Sequence, residues 1–220
     1  MIETYAALGV FGAATTKNLA AFRAVNLRDF AVDRHGTVDG HPYGGGEGMV
    51  LRCEPLRDAL ANLPKGHVIS LAPSGKRWTQ TEAKKFASSH DPLIFVCGRF
   101  AGVDQRFLDQ YVDQEYSLGD FVISGGELAA LTITDSIIRM IPGVLGNAES
   151  AHFDSFSDGL DGILEYPLYT RPQVFEGQKV PEVLLSGDHK VISEWRKKQS
   201  LEKTKKFRPD LLIPNEKPKI

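Results

Sequence analysis

Residues 116–146 read YSLGDFVISGGELAALTITDSIIRMIPGVLG, and the reading of the whole chain turns on them. The first part sets a short apolar run among Gly119, Gly125 and Gly126. The second part carries apolar residues at 128, 131, 133, 137, 138 and 141, largely at helical spacing, until Pro142 and Gly143 stop the pattern. The expected order is a tight loop, a short apolar strand, a Ser-Gly-Gly turn and a helix. Glycines at such a corner let the backbone approach a ligand closely and leave its N–H groups unhindered. Neither the dinucleotide fingerprint G-x-G-x-x-G nor the phosphate loop G-x-x-x-x-G-K-[ST] is present. The residues alone leave two readings open, a small-molecule loop at a helix start and a plain strand–helix turn.

Upstream, apolar strands alternate with amphipathic helices. HVISL at 67–71 reads as a buried strand running into a turn at Pro73, Ser74 and Gly75. LIFVC at 93–97 is the next such strand, ending at Gly98, Arg99 and Phe100. Helices are expected over 54–63, 79–88 and 104–111, the second capped by Thr79 with Glu82 three residues on. This alternation predicts an α/β domain with a mainly parallel sheet flanked by helices. Ligands bind at the carboxyl ends of such strands, where the Gly-bearing loops at 71–75, 98–103 and 117–126 would converge. Residues 1–27 read as a helix, a turn and a short strand. Residues 28–48, RDFAVDRHGTVDGHPYGGGEG, form a polar loop too long for a mere connector. Within it Arg34, His35 and Asp39 are candidates for contacting a base or phosphate. The alternative is a structured glycine-rich loop whose polar groups satisfy one another.

The C-terminal third is different in texture. Residues 147–159, NAESAHFDSFSDG, have little periodicity and read as a linker. Residues 161–183 are irregular, with Pro167, Pro172 and Pro181. From Gly187 onward the pattern predicts one or two helices, the first capped by Asp188, and a frayed end over 211–220. The expected organisation is a domain at 1–146, a linker at 147–160 and a small helical domain at 161–220.

The 220-residue chain has apolar and charged fractions of 42% and 25%, as in an ordinary globular protein. No apolar run is long enough to span a membrane, and no signal-peptide pattern opens the chain. Two cysteines, Cys53 and Cys97, make no disulfide framework and point to a reducing cytoplasm. The six histidines show no metal-ligand spacing with them, which argues against zinc. Net charge is −2, yet residues 190–208 hold eight Lys or Arg against Glu194 and Glu202, a local net of +6, leaving −8 elsewhere. That asymmetry suits either a phosphate-neutralising arm, with Lys197 and Lys198 among its contacts, or a solvated basic helix face.

SLGDFVISGGEL followed by DSIIRMIPGVLG resembles the cofactor-binding signature of the bacterial tRNA (guanine-N1)-methyltransferases, the TrmD family of the trefoil-knot (SPOUT) class. RDFAVDRHGTVDGHPYGGGEGMV, CGRFAGVD, YTRPQVFEG and VPEVLLSGDHKVISEWR agree, so the similarity covers nearly the whole chain. The resemblance implies a knotted α/β domain; true knots are rare, and nothing in the periodicity suggests one. It implies methyl transfer from S-adenosylmethionine to N1 of the guanosine at position 37, just 3′ of the tRNA anticodon. It carries cofactor binding onto Leu71, Ala72 and Pro73, onto Gly98, Arg99 and Phe100, and onto Leu118, Gly119, Asp120, Phe121, Val122, Ile123, Ser124, Gly125 and Gly126. Asp154 matches the family's general base and Arg139 its catalytic arginine. Read from the residues alone, Asp154 is a solvated turn carboxylate and Arg139 a surface arginine favourable to a helix C-terminus. The polar loop holding Arg34, His35 and Asp39 would lie near the target nucleotide. The family also implies a cytoplasmic homodimer that acts on the anticodon stem-loop, with active sites across the subunit interface, and no role for DNA or membrane.

Two departures stand out. Family chains usually begin with a central β-strand ending in a Phe-Pro-Glu-Met type turn, and this sequence starts at the Met of that turn; a sheet lacking that strand would expose two neighbouring edges. The family's CGRYEGID is here Cys97-Gly98-Arg99-Phe100-Ala101-Gly102-Val103-Asp104, so Ala101 replaces a glutamate that a magnesium ion could use. Alternatives are therefore a knot methyltransferase acting on another RNA, or a catalytically weakened RNA-binding homologue.

Overall fold

The computed structural model describes residues 2–89, 91–146 and 153–213. These divide into two compact units, 1–146 and 147–220.

The first unit is built on a parallel sheet. Its strands are β3 (His67–Arg77), β4 (Leu93–Val96) and β5 (Gln114–Ser117), in the order β4-β3-β5. The three pair contiguously, Ser70 opposite Val96 on one side and opposite Glu115 on the other. Side chains alternate along β3, so the sheet is covered on both faces. Val68 packs with Val38, Leu51, Leu56, Val96 and Phe107, under α3 (Cys53–Ala61) and α5 (Gln105–Tyr111). Its neighbour Ile69 packs with Ala83, Phe86, Tyr116, Ile133 and Ile137, under α4 (Gln80–Ala87) and α6 (Gly126–Ile138). Two short N-terminal helices, α1 (Ile2–Ala6) and α2 (Gly9–Thr16), close the far end of α6 through Ala6, Phe11, Ala14, Ile138 and Val144.

Caps follow the side-chain chemistry of the sequence. The Thr79 hydroxyl accepts from the Glu82 N–H at 3.4 Å, and the Asp104 carboxylate accepts from the Arg106 N–H at 3.0 Å. The Arg106 guanidinium also holds Asp104 at 2.7 Å and depresses its pKa well below the carboxylate range. Burial pushes the Cys53 thiol up, and the Asp104 carboxylate beside it adds to the shift.

Three expectations for this unit need correction. No strand forms between α2 and residue 27; Phe22 is exposed there and the segment has no ladder partner among the described residues. β3 does not stop at Leu71. It continues to Arg77 across a bulge, Leu71 and Lys76 both facing Tyr116, so Pro73, Ser74 and Gly75 bow out of a strand that resumes. Gly75 is needed because a Cβ would sit 2.5 Å from the Tyr116 nitrogen. Finally, the apolar run Phe121-Val122-Ile123 is not a strand; the strand of this region is β5, and the run lies exposed in the loop after it.

The second unit centres on α7 (His189–Phe207), whose Asp188 cap accepts from the N–H groups of Lys190 and Val191. Ser157, Ser200 and Thr204 are buried; the Thr204 hydroxyl accepts from the Leu164 N–H, and Lys203 Nζ donates to the Glu165 carbonyl. A hairpin of β6 (Val174–Phe175) and β7 (Gln178–Lys179) turns at Glu176 and Gly177, both with positive φ (49° and 78°). Residues 153–160 fold into this unit, with the Phe156 N–H bonded to the Ile163 carbonyl. Pro209–Leu212 makes a short 3-10 turn, and most of the expected frayed end lies outside the described residues. No helix among the described residues is long and apolar enough to cross a membrane.

Candidate cofactor loops and catalytic residues

Strand register alone aligns the carboxyl ends of β3, β4 and β5, and specific bonds then fasten the loops that follow. The Gly126 N–H donates to the Gly98 carbonyl at 2.8 Å, and Arg99 and Gly125 form an antiparallel bridge. Arg99 Nε pairs with the Glu127 carboxylate at 2.7 Å. A Cβ on Gly126 would lie 2.8 Å from the Cys97 Cα and 3.1 Å from the Gly98 nitrogen, so the two loops touch backbone to backbone. The Cys97 thiol beneath them is pushed up to about 12, first by burial and then by the Glu127 charge, and stays protonated. Phe100 takes the left-handed conformation (φ 55°) with 71% of its surface exposed, an uncommon state for a bulky residue outside a constrained site.

The 71–75 bulge joins the same end through β5. Ser74 Oγ donates to Glu115 Oε2 at 3.2 Å, and Glu115 Oε1 is buried with no hydrogen-bond partner. Below it, Glu82 accepts from Tyr116 Oη and from Lys76 Nζ, each at 2.5 Å. Burial works against the Glu82 charge, yet the bonds from Lys76 and Tyr116 outweigh it and hold its pKa low. Burial and the same carboxylate raise the Tyr116 hydroxyl. This network anchors both ends of the bulge and the start of the 118–126 loop.

That loop is itself open. Phe121, Val122 and Ile123 are exposed, Val122 to 88%. A cavity of about 530 Å³ lies against it, lined by Trp78, Leu118, Phe121, Ile123, Leu128 and Thr132. The size suits a small molecule. It shares Leu118, Phe121 and Ile123 with the predicted cofactor residues, whereas the 71–73 and 98–100 segments do not line it. The structure thus joins 98–100 to 125–126 directly and 71–75 through β5, but not around one cavity.

The polar loop is stitched to the same region at its end. β1 (Asp39–Gly40) pairs with β2 (Val50–Leu51), the Ala101 N–H donates to the Met49 carbonyl, and the Leu51 N–H to the Gly102 carbonyl. Asp39 sits in β1. Arg34 and His35 are exposed on a turn that the Asp33 carboxylate organises by accepting from the His35 and Thr37 N–H groups.

Arg139 is exposed at the C-terminal cap of α6. Asp154, expected in a linker, is half-buried in the folded 153–165 segment, its carbonyl accepting from the Ser157 N–H. Lys197 and Lys198 are exposed on α7, Lys198 lying 3.9 Å from Glu202. Sequence reasoning missed Glu115, Glu127 and Trp78. Glu127 ends the Ser-Gly-Gly-Glu corner itself, whereas nothing local marks Glu115 or Trp78, whose roles come from sheet pairing and the bulge.

The family described as tRNA (Guanine-1)-methyltransferase TrmD matches residues 1–214. A tRNA (guanine-N(1)-)-methyltransferase of Nitrosococcus oceani is 53% identical over 209 residues, covering 93% of this chain and 81% of the relative. Relatives of the same description from Geobacter sulfurreducens and Bacillus cereus are 52% and 49% identical, covering 85% and 94% of this chain and 76% and 88% of their own lengths. The chain belongs to the TrmD family of tRNA (guanine-N1)-methyltransferases.

Ala101 remains a departure in chemistry. It is exposed, and its Cβ lies 3.5 Å from where a Cβ on Gly48 would stand. It offers no metal donor, and no cluster of three His, Cys, Asp or Glu side chains suited to a metal occurs among the described residues. A carboxylate at 101 would face the Gly48–Met49 backbone beside the candidate cofactor loops. Ala101→Glu is expected to raise single-turnover methylation about tenfold, or ~1.4 kcal/mol of barrier. Equal rates for the two proteins across a magnesium titration would make Ala101 a bystander.

Proposed function

We propose that this chain transfers the methyl group of S-adenosylmethionine to N1 of the guanosine at position 37 of tRNA. The observation that carries the reading is the clamp between Gly98 and Gly126, set within a family match that spans residues 1–214. The residues present fit the cofactor. Glu115 Oε1, a buried carboxylate oxygen without a partner beside the 72–75 bulge, suits a cationic ligand. Leu71, Ala72, Pro73, Gly98, Arg99, Phe100 and the 118–126 loop would hold it through backbone groups and apolar packing. S-adenosylmethionine supplies a methyl group already activated on sulfur, so the protein has mainly to position its reactants.

Guanine N1 carries a proton in the neutral base. In this mechanism Asp154 accepts that proton as N1 becomes the nucleophile, and negative charge moves towards O6. Arg139 supplies the cation that stabilises the developing charge. Arg34, His35 and Asp39 contact the target nucleotide, and Lys197 and Lys198 contact phosphates. The unpaired guanine of the anticodon loop is splayed out and read on its Watson–Crick edge. The knot over the C-terminal part of the first unit, a homodimer and a cytoplasmic setting belong to the same reading, supported by the family match.

Incorporation of labelled methyl into unmodified tRNA transcripts, beside ribosomal RNA fragments, tests the substrate class. Labelling of tRNA alone is expected; preferential labelling of ribosomal RNA would overturn the assignment. The basic helix adds a second check. Neutralising Lys197, Lys198, Lys205 and Lys206 together is expected to weaken tRNA binding and flatten its salt dependence. A lower affinity with an unchanged slope would mean that the helix acts through folding and not through charge.

A further inference from the structure

The second unit contains a cavity that the methyl-transfer chemistry does not use. It measures about 520 Å³, and its walls include Tyr166, Leu168, Tyr169, Arg171, Leu185 and Arg196. Two arginines line it and no Asp or Glu does, so an anion entering meets no repulsion from the walls. The rest of the lining is largely apolar and aromatic. The Arg196 guanidinium lies over the Tyr166 ring at 4.8 Å, which fixes the plane of its N–H groups. Tyr169 packs near Trp195, with ring centroids 6.4 Å apart, and is still 49% exposed; Leu168 is 67% exposed. An exposed aromatic ring in a cavity lined by two guanidinium groups, one of them held over a tyrosine, is the arrangement that takes a base on its face and a phosphate at its edge.

Charge identifies the occupant. Arg196 stands on α7, whose run from 190 to 208 carries eight cations against Glu194 and Glu202, and Lys197 and Lys198 follow it directly. A polyanion that binds the helix can therefore place one unit in the cavity. We propose that this cavity is a nucleotide subsite that captures one unpaired nucleotide of the tRNA other than the methyl acceptor, its base stacked on Tyr169 and its phosphate held by Arg171 and Arg196. The subsite rests on the tRNA reading above and deepens it, because it makes recognition depend on a second unpaired nucleotide.

The test is equilibrium binding of a full-length tRNA transcript across a salt series, with thermal melts to confirm that each variant is folded. Tyr169→Leu is expected to weaken binding about tenfold without changing the slope of log K against log salt, since stacking carries no counterion release. Tyr169→Phe keeps the ring and is expected to restore wild-type affinity. Arg171→Gln combined with Arg196→Gln is expected to weaken binding and make the slope shallower. If folded Tyr169→Leu binds tRNA as tightly as wild type, or if Tyr169→Phe is as weak as Tyr169→Leu, the subsite is overturned while the methyltransferase reading stands. If the wild-type chain neither binds nor methylates tRNA, both fall together.

Discussion

Asp154→Asn is expected to lower single-turnover methylation of tRNA by about a hundredfold or more while leaving S-adenosylmethionine affinity intact. The loss follows from removing the one group assigned to take the N1 proton, a contribution of general-base catalysis that runs to about two to four orders of magnitude. Asparagine preserves the shape of the carboxylate. The backbone bond of this turn, from the Ser157 N–H to the carbonyl of residue 154, is equally open to asparagine. A structural role would therefore show as a lowered melting temperature, and a catalytic role as a rate change with the melt unmoved. Single-turnover methylation at the wild-type rate would remove Asp154 from the mechanism.

The second large effect is expected at the glycine corner. Gly126→Val should weaken S-adenosylmethionine binding at least about tenfold, equivalent to ~1.4 kcal/mol. The added carbon would meet the backbone of Cys97 and Gly98 at 2.8 and 3.1 Å, atoms that cannot swing aside as a side chain does. Relief requires the 98–103 loop to move off the helix start, which breaks the 2.8 Å bond from the Gly126 N–H to the Gly98 carbonyl. Gly125 makes a useful contrast. A Cβ there meets the Glu127 carboxylate and Arg99, far ends of flexible side chains, so Gly125→Ala should cost less than Gly126→Ala. Calorimetric titration of both alanine variants checks this ordering, and equal affinities would show that the clamp does not shape the cofactor site.

The sequence was most legible where a local rule acts alone. Thr79 and Asp188 each cap the helix they were expected to cap, because a short oxygen-bearing side chain before a helical run answers to its own backbone. HVISL and LIFVC were readable as strands because a sheet covered on both faces needs continuous apolar runs. What stayed hidden depends on partners distant in sequence. The apolar run Phe121-Val122-Ile123 looks like a strand, yet no strand of the described residues pairs with it and the run stays in the open loop. Ser74 and Gly75 look like the end of a strand, but Tyr116 and Ser117 beyond the bulge recapture the chain through pairing with Lys76 and Arg77. For the site, the glycines at 98, 125 and 126 were visible as a motif. Glu127 as the partner of Arg99, and Glu115 with one buried oxygen left without a partner, emerge only from the folded sheet.

The central claim is the atom that receives the methyl group. The most direct measurement incubates the purified chain with S-adenosylmethionine and an unmodified tRNA transcript bearing guanosine at position 37, then digests the RNA for nucleoside mass spectrometry and maps the fragment that gained mass. The account predicts 1-methylguanosine, confined to the anticodon-loop fragment and lost when position 37 is changed to adenosine. Methyl on another atom or at another position, or none with a folded chain that binds the cofactor, would contradict it.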